Sequence, residues 1–315
     1  MSNKLTFLSL FDGMSCGQIS MNKVLNGQPY EWFSSEINKP SINVTQFNYP
    51  STTQIGDVRN VDQHMIDTFF KDVFVLMAGS PCTDLSVAGS KRGMVTLDEI
   101  DLTSYNQYIR LKEDGHEFKG QSYLFWEFIR LLKVIKPKYF LLENVVLKGN
   151  VKKWEKIISD ELGVDPIRIN SSLITAQNRD RLYWTNIPGV TIPEDKRILV
   201  SDVIPDSISG FGYRGKKLND DDFYTMVGSI RKDGKSNCLV KSSSTRKVAT
   251  YDGNIRNLTI EECEMLQGVD TGYTDVLGVT KNDRYDMLGN GWTIPVIEHI
   301  FSFIPEFKKV KEYSN

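Results

Sequence analysis

Residues 73 to 86 read VFVLMAGSPCTDLS, an apolar run that ends at a glycine and continues into Pro81 and Cys82. An apolar run of this length, bounded by turn-forming residues, is typical of a strand buried on both faces of a sheet. Ligands of open α/β sheets bind beyond the carboxyl ends of the strands, where Cys82 is expected to lie. The proline, with its fixed φ, favours a thiol held out of the sheet, although a small buried cysteine is the simpler alternative.

The same strand pattern recurs on both sides of this stretch, with helical patterns between the runs. We predict strands at 4–10, 30–34, 73–78 and 139–143, and helices at 17–25, 41–47, 61–70 and 122–135. Such alternation predicts parallel strands joined by crossover helices, and therefore an α/β fold. A chain of 315 residues with 40% hydrophobic residues is long enough to bury a full core of this kind.

Two segments interrupt the alternation. Residues 88–120 are polar and charged and directly follow the cysteine, as expected of a long loop that acts as a lid. Residues 187–255 carry Gly, Ser, Asp and Lys with weak periodicity, and we expect them to form a separate small domain. The predicted organisation is a main domain of residues 1–186 and 256–315 with the small region inserted.

Composition excludes several other classes of protein. The formal net charge of −2 argues against a binder coated in positive charge, although a local basic face is compatible with it. No long apolar run indicates a signal peptide or a membrane span, so we expect a cytoplasmic protein without a membrane partner. Neither a disulfide framework nor a metal site is expected, because the four cysteines and three histidines are widely spaced.

The ends of the first three strands supply residues suited to a nucleotide-type cofactor. Residues 11–17, FDGMSCG, form a small-residue turn before a helix, where a backbone can approach a ligand closely. The turn is not GxGxxG, which disfavours a dinucleotide, and a plain strand-to-helix turn is an equal alternative. Glu36 ends the next strand, at the distance at which an acidic residue meets a ribose hydroxyl. With Gly56, Asp57 and Val58 at the third end, the pattern suggests an adenosine-containing ligand.

A nucleophilic thiol needs acid–base partners, and two stretches offer them. Glu143 closes the apolar strand at 139–143, where a carboxyl group can carry a proton. Arg179 and Arg181 alternate in QNRDR and would point to one side of an extended segment, suited to an anion or a polarised carbonyl. As an isolated surface pair the arginines would carry no function.

Taken together and in this order, the motifs resemble those of the DNA cytosine carbon-5 methyltransferases that use S-adenosylmethionine. The matching stretches are FDGMSCG at 11–17, GSPCTDLS at 79–86, ENV at 143–145, QNRDR at 177–181, RNLTIEE at 256–262 and LGNGWTIPV at 288–296. Some variants are similar to those of the animal de novo enzymes, while the compact chain suits a bacterial or phage enzyme. The stretch after the cysteine is longer than is usual in that family.

The resemblance implies a Rossmann-like methyltransferase fold with a smaller target-recognition domain. It implies methyl transfer to carbon 5 of a flipped-out cytosine in a specific duplex DNA sequence, through a covalent bond between Cys82 and carbon 6. Glu143 would hold N3 and the amino group, and Arg181, with Arg179 beside or behind it, would hold the O2 side. The implied cofactor contacts are Phe11, Asp12, Gly13, Met14, Gly17, Glu36, Asp57, Val58, Leu124, Asn290, Gly291 and Trp292.

The inserted region is then expected to face DNA. Between residues 210 and 256, ten lysines and arginines stand against five aspartates, a local net charge of +5. A solvated basic loop is the alternative. The candidate DNA contacts are Ser86, Arg231, Lys232, Lys235, Lys241 and Arg246.

Three other functions stay open at this point. Relatives with the same motifs methylate cytosine in transfer RNA, a catalytically inactive relative would only bind DNA, and a Rossmann-like oxidoreductase is a third alternative. The recognition sequence, and whether a cognate restriction enzyme accompanies this chain in a restriction-modification system, are not derivable from the residues.

Overall fold

The computed structural model describes residues 4–85, 93–212, 230–241 and 246–312. Its centre is a seven-stranded sheet of order β3-β2-β1-β4-β5-β7-β6. The strands are β1 Leu5–Leu10, β2 Tyr30–Ser35, β3 Thr53–Gln54, β4 Val73–Gly79, β5 Tyr139–Val145, β6 Ile167–Asn170 and β7 Asp180–Thr185.

Helices connect and cover these strands. They are α1 Cys16–Leu25, α2 Lys39–Asn48, α3 Gln63–Phe69, α4 Tyr105–Glu113, α5 Phe125–Ile135, α6 Lys153–Leu162, α7 Val200–Val203, α8 Ile260–Gln267, α9 Lys281–Asn290, α10 Ile294–Phe301 and α11 Pro305–Glu312. Local sequence explains their ends: the Asn38 side chain caps α2, and Thr259 with Glu262 forms a capping box at α8. Asn26, with φ of +47°, ends α1 where the sequence predicted.

The sheet is mostly parallel, as the alternation predicted. β1 pairs in parallel with both β2 and β4, so the strand order reverses between β1 and β4. That reversal opens a crevice at the carboxyl ends of these two strands. β7, in contrast, is antiparallel to both β5 and β6, and neither β6 nor β7 was among the predicted strands. The linker 171–179 is too short for the crossover that a parallel pair requires.

Helices pack on both faces of the sheet. Along β4, Val75 and Met77 join one apolar cluster with α1 and α10, while Leu76 and Ala78 join a second cluster with α3, α5 and α6. Because both faces of β4 are covered, the run at 73–78 is apolar at every position.

Residues 93–120 form a packed substructure and not the open loop that their polarity suggested. They contain α4, and Met94, Leu102, Tyr108 and Leu111 are buried in the cluster that also holds α5. The sequence misled because the apolar residues are few and spaced among charged ones. Residues 88–92, the rest of the expected lid, lie outside the described residues.

The described part of residues 187–255 has a small antiparallel sheet of its own. Its strands are β8 Ser207–Gly210 and β9 Lys247–Thr250, completed by β10 Ile255–Asn257. Val200, Ile204, Leu239 and Val248 nevertheless pack into the cluster that holds α1 and α10. This region therefore rests directly on the main core, and its boundaries stay a prediction.

No helix in the parts of the chain that the structure describes combines the length and apolarity needed to cross a bilayer.

The C-terminal segment returns to the sheet and presses Trp292 against the end of β4. A Cβ added at Gly79 would lie 2.7 Å from Nε1 of Trp292, closer than a carbon atom can approach. We therefore expect Gly79→Ala to lower the free energy of unfolding by about 1–3 kcal/mol. Urea denaturation followed by circular dichroism measures this change.

Gly212→Ala is the matched control, because a Cβ there would come no nearer than 3.6 Å to Asn237. We expect it to change stability by less than about 0.5 kcal/mol. Equal losses in both variants would show that the approach of Trp292 to Gly79 has no energetic consequence.

Candidate active site

Cys82 stands directly beyond β4, in a loop held from two sides. The N–H of Leu85 donates to the carbonyl of Cys82 (2.9 Å), which closes a turn around the thiol. The Asn144 side chain donates to Ser80 Oγ (3.0 Å), and the Asp84 carboxylate accepts the N–H of Gln121 and Ser122. These contacts fix the half-buried thiol at the carboxyl edge of the sheet.

The Glu143 carboxylate lies at the same edge and is held by two donors. Arg181 Nε lies 2.9 Å from Oε1, and the indole Nε1 of Trp292 donates to Oε2 (3.1 Å). In the β5–β7 ladder Glu143 is opposite Tyr183 and Val145 is opposite Arg181, so the ion pair is a diagonal contact across the ladder. The carboxylate and the guanidinium predicted as partners are therefore in contact.

Arg179, the second predicted arginine, contacts backbone carbonyl groups. Its guanidinium is buried and donates to the carbonyl oxygens of Leu239 (2.9 Å), Gly289 (3.1 Å) and Asn290 (3.4 Å). These hydrogen bonds link the C-terminal segment to the residues just before β7. Arg181 is the guanidinium that contacts Glu143, and a catalytic role for Arg179 stays a prediction.

Cys238, which sequence reasoning passed over, lies between the two arginines. Its Sγ is 3.4 Å from Arg179 Nη1 and 3.8 Å from Arg181 Nη2. Burial raises the pKa of Cys238, but the two guanidinium groups outweigh burial and hold this pKa below its usual value. Burial, reinforced by the charge of Glu143, raises the pKa of Cys82 despite the same two arginines.

The predicted cofactor residues at the ends of β1, β2 and β3 share one edge of the sheet. Gly13 N donates to Glu36 Oε2 (2.8 Å), and Glu36 Oε1 accepts the N–H of Ile37. Asp57 pairs with Arg59, and this hydrogen-bonded pair holds the pKa of Asp57 below its usual value. A Cβ added at Gly13 would meet nothing within 4 Å, so the backbone there faces open space.

Asp12 is buried beside this edge. The hydroxyl groups of Ser9 and Ser15 donate to its two oxygens, each at 2.5 Å. Burial raises the pKa of Asp12 to about 6, against the effect of these hydrogen bonds and with a small contribution from Glu36.

Two predicted cofactor residues belong to the interior. The Met14 side chain is buried, and its carbonyl oxygen accepts the hydroxyl of Tyr273 (2.9 Å). A Cβ at Gly17 would lie 2.6 Å from Met77 Sδ, so that glycine serves the packing of α1 on the sheet. Their contacts with the cofactor stay predictions.

The other predicted cofactor residues have mixed surroundings. Phe11, with φ of +56°, and Leu124 are half-buried, while Val58 is buried. Asn290 is exposed, and the space for a side chain at Gly291 is taken by Cys16 Sγ at 3.0 Å.

The predicted DNA contacts differ in their burial and in their partners. The ammonium group of Lys235 is buried and donates to the carbonyl oxygens of Ser172 (2.6 Å), Thr175 (3.2 Å) and Ile198 (2.5 Å). These backbone acceptors occupy the ammonium group, and its DNA contact stays a prediction. Arg231 pairs with Asp233, and Lys232 is exposed. Lys241 is exposed and pairs with Asp286, while the Arg246 guanidinium stacks over the Tyr285 ring, 3.8 Å from its centroid. Ser86 lies outside the described residues.

A family model for C-5 cytosine-specific DNA methylases matches residues 5–193 and 206–306. The chain belongs to this family. Among similar proteins, the type II methyltransferase M.NlaX of Neisseria lactamica is 28% identical over 309 residues, covering 85% of this chain and 86% of that protein. The type II methyltransferase M.Bsp6I of Bacillus sp. is 24% identical, covering 94% and 97%. The family and the enzyme class that the motifs predicted are confirmed.

The fold of this cytosine methylase is similar to that of other solved methyltransferases. The Entamoeba histolytica methyltransferase EhMeth superposes with a TM-score of 0.64 at 14% identity, covering 98% of this chain and 99% of that one. The S. pombe Dnmt2 methyltransferase gives a TM-score of 0.62 at 14% identity, covering 96% and 99%. The Rossmann-like methyltransferase fold is thereby confirmed.

Three features of this methylase site were missed from sequence. Cys238 carried no local signal, Asn144 was noted only as part of ENV, and Trp292 was assigned to the cofactor and not to Glu143. All three contacts join residues more than 50 positions apart. A sequence motif describes only neighbouring residues and therefore does not predict such pairs.

The thiols of this methylase should differ in reactivity. Because the thiolate is the nucleophile, we expect iodoacetamide at pH 7.5 to label Cys238 before Cys82. Glu143→Gln removes a charge that raises the pKa of Cys82 and should accelerate its labelling. Mass spectrometry of timed digests measures both rates, with Cys263, buried with its pKa raised to about 12, as the unlabelled control. Labelling of Cys82 first would contradict the charge arrangement described above.

Asp12 should make stability depend on pH. Its folded-state pKa of about 6 lies above the unfolded value near 3.8, so the stability it contributes is complete below pH 4 and is lost as the pH rises through 6. Relative to Asp12→Asn, the wild type should lose on the order of 3 kcal/mol between pH 4 and pH 7. Chemical denaturation of both proteins across this range measures the difference.

Asp67→Asn, on an exposed position of α3, is the control, and its stability should follow the wild type at every pH. If the curves of Asp12→Asn and wild type ran parallel, Asp12 would not be the titrating group.

Proposed function

We propose that this protein transfers a methyl group from S-adenosylmethionine to carbon 5 of a cytosine in a specific duplex DNA sequence, through a covalent bond between Cys82 and carbon 6. The supporting observation is that Cys82 and the Glu143–Arg181 ion pair share one edge of the sheet. This arrangement offers a nucleophile and a polarising pair to the same ring.

The residues at the ends of β1 to β3 fit the proposed cofactor. The open backbone at Gly13 and at Gly56 leaves room for a ligand, and the Glu36 and Asp57 carboxylates suit ribose hydroxyls and the adenine amino group. Ile37, which is 63% exposed beside Glu36, offers an apolar surface to the adenine ring. Asp12 would supply negative charge near the cationic methionine end. When bound, S-adenosylmethionine supplies the methyl group from its sulfonium.

The target cytosine must leave the stack to reach Cys82, at a cost of about a few kcal/mol. Glu143 would accept a hydrogen bond from the amino group and, when protonated, donate to N3, while Arg181 would hold the O2 side. Donation to N3 and to O2 draws electrons from the ring and favours addition of the Cys82 sulfur at carbon 6, while the hydrogen bond from the amino group orients the base.

The sulfur must first lose its proton. Because burial and Glu143 raise the pKa of Cys82, the thiol is protonated at rest at neutral pH. Addition gives carbon 5 enamine character. After methylation, loss of the carbon 5 proton and departure of the Cys82 sulfur restore the aromatic ring.

Residues 187–255 would position the duplex. Of the candidate contacts, Lys232 is exposed, which suits a phosphate contact that sets the register of the DNA. Lys241 is also exposed and would contact a phosphate after leaving Asp286. Arg231 and Arg246 would read or steer DNA only after leaving Asp233 or the Tyr285 ring, respectively.

The deciding experiment is methyl transfer with Cys82→Ala. We expect its activity on duplex DNA to fall at least about a thousandfold while S-adenosylmethionine binding persists, because Cys82 contributes the nucleophile and no cofactor contact. Sequencing of DNA from expressing cells, by a chemistry that distinguishes 5-methylcytosine, should show one short methylated motif that the variant lacks.

Cys263→Ala, which removes a thiol from the core, is the control and should retain activity. Appreciable turnover by Cys82→Ala would overturn the covalent mechanism. Labelled methyl transfer to transfer RNA and not to duplex DNA would overturn the proposed substrate.

A further inference from the structure

We infer that residues 93–120 brace the adenine side of the cofactor site through Glu127 and Arg130, which act as positioning residues for cofactor binding. The inference rests on the proposed function, because it takes Asp57 and Val58 as cofactor contacts. It assigns a task to the segment that makes the stretch after Cys82 unusually long.

The brace is centred on one buried carboxylate. Glu127 of α5 is fully buried, and its two oxygens accept three donors. Oε1 accepts the Tyr108 hydroxyl (2.5 Å) and the Lys112 ammonium (2.6 Å), and Oε2 accepts Arg130 Nε (2.7 Å). A buried carboxylate is stable only when its oxygens are satisfied in this way.

Arg130 connects Glu127 to the backbone at the cofactor edge of the sheet. Its Nη2 donates to the carbonyl oxygen of Val58 (3.2 Å) and its Nη1 to that of Val61 (3.0 Å). These carbonyls belong to the turn that follows Asp57, whose side chain caps the same turn at Arg59 N. A planar guanidinium that donates to two carbonyl oxygens fixes the orientation of the turn. A lysine ammonium would not, because it is a point charge without this rigid geometry.

Helix α4 supplies two of the three donors to Glu127. Tyr108 is itself buried and stacks on Trp126 of α5, with ring centroids 6.3 Å apart. Without Tyr108 and Lys112, Glu127 Oε1 would be a buried acceptor without these partners, and the carboxylate would be free to turn away from Arg130. Helix α4 is therefore connected to the turn at residues 57–61 through the side chains of Glu127 and Arg130.

The test compares full-length variants by calorimetric titration with S-adenosylmethionine and by the KM values for S-adenosylmethionine and duplex DNA. Arg130→Met should raise the Kd for S-adenosylmethionine about tenfold and leave the KM for DNA within about twofold, because the turn loses both donors. Arg130→Lys, which keeps one donor, should give an intermediate Kd. The double variant Tyr108→Phe/Lys112→Met should raise the Kd about threefold.

Lys156→Met is the matched control, since this exposed lysine lies on α6 and pairs with Asp160 of the same helix, outside the brace. It should bind S-adenosylmethionine as the wild type does. If Arg130→Met does not fold, the double variant, which keeps the side chains of both Arg130 and Glu127, decides the matter.

The outcomes separate the two proposals. Wild-type binding of S-adenosylmethionine together with an unchanged Kd in folded Arg130→Met, or in the double variant, would overturn the inference alone. Equal increases in the KM for DNA and for S-adenosylmethionine would also overturn it, because they indicate general distortion. A wild type that binds no S-adenosylmethionine would overturn the proposed function, and the inference with it.

Discussion

The structure depends on the way Glu143 is held at the edge of the sheet. Its carboxylate receives one donor from β7, through Arg181, and one from the C-terminal segment, through Trp292. Parts of the chain up to 149 residues apart therefore meet at a single side chain. A buried carboxylate with two defined donors has a defined orientation, and the thiol of Cys82 lies at the same edge, in the loop that follows the neighbouring strand β4.

Two buried polar groups keep the C-terminal segment in the position that this arrangement requires. The Gln177 amide donates to the carbonyl oxygen of Leu266 and to the side chain of Gln267, whose own amide donates to the carbonyl oxygens of Leu288 and Gly291. Arg179 completes the connection. Because buried polar groups are costly when unpaired, this network admits few alternative positions for Trp292.

The two arginines of the site face two groups that can carry negative charge. Arg181 contacts the Glu143 carboxylate, and both guanidinium groups lie beside the Cys238 sulfur. The pKa of Cys238 is held below its usual value and that of Cys82 is raised, so negative charge is favoured on Cys238 and not on Cys82. A protonated thiol is protected from oxidation and alkylation, and this protection applies to Cys82, the proposed nucleophile.

By itself, the sequence determined four strands and four helices of the main domain and the residues at the strand ends. These are local properties: apolar runs, capping residues and motif spacing act within a few turns of chain. They sufficed to name Cys82, Glu143, Arg181 and Glu36, and to bring Cys82, Glu143 and Glu36 to one edge, because parallel strands end together. Only the tertiary structure decided that Arg179 and Lys235 are buried on carbonyl oxygens, that β7 runs antiparallel, and that Cys238 joins the site. Each of these features depends on which distant group forms a hydrogen bond with a buried charge or a backbone acceptor. Tertiary packing selects that group, and the neighbouring residues in the chain do not.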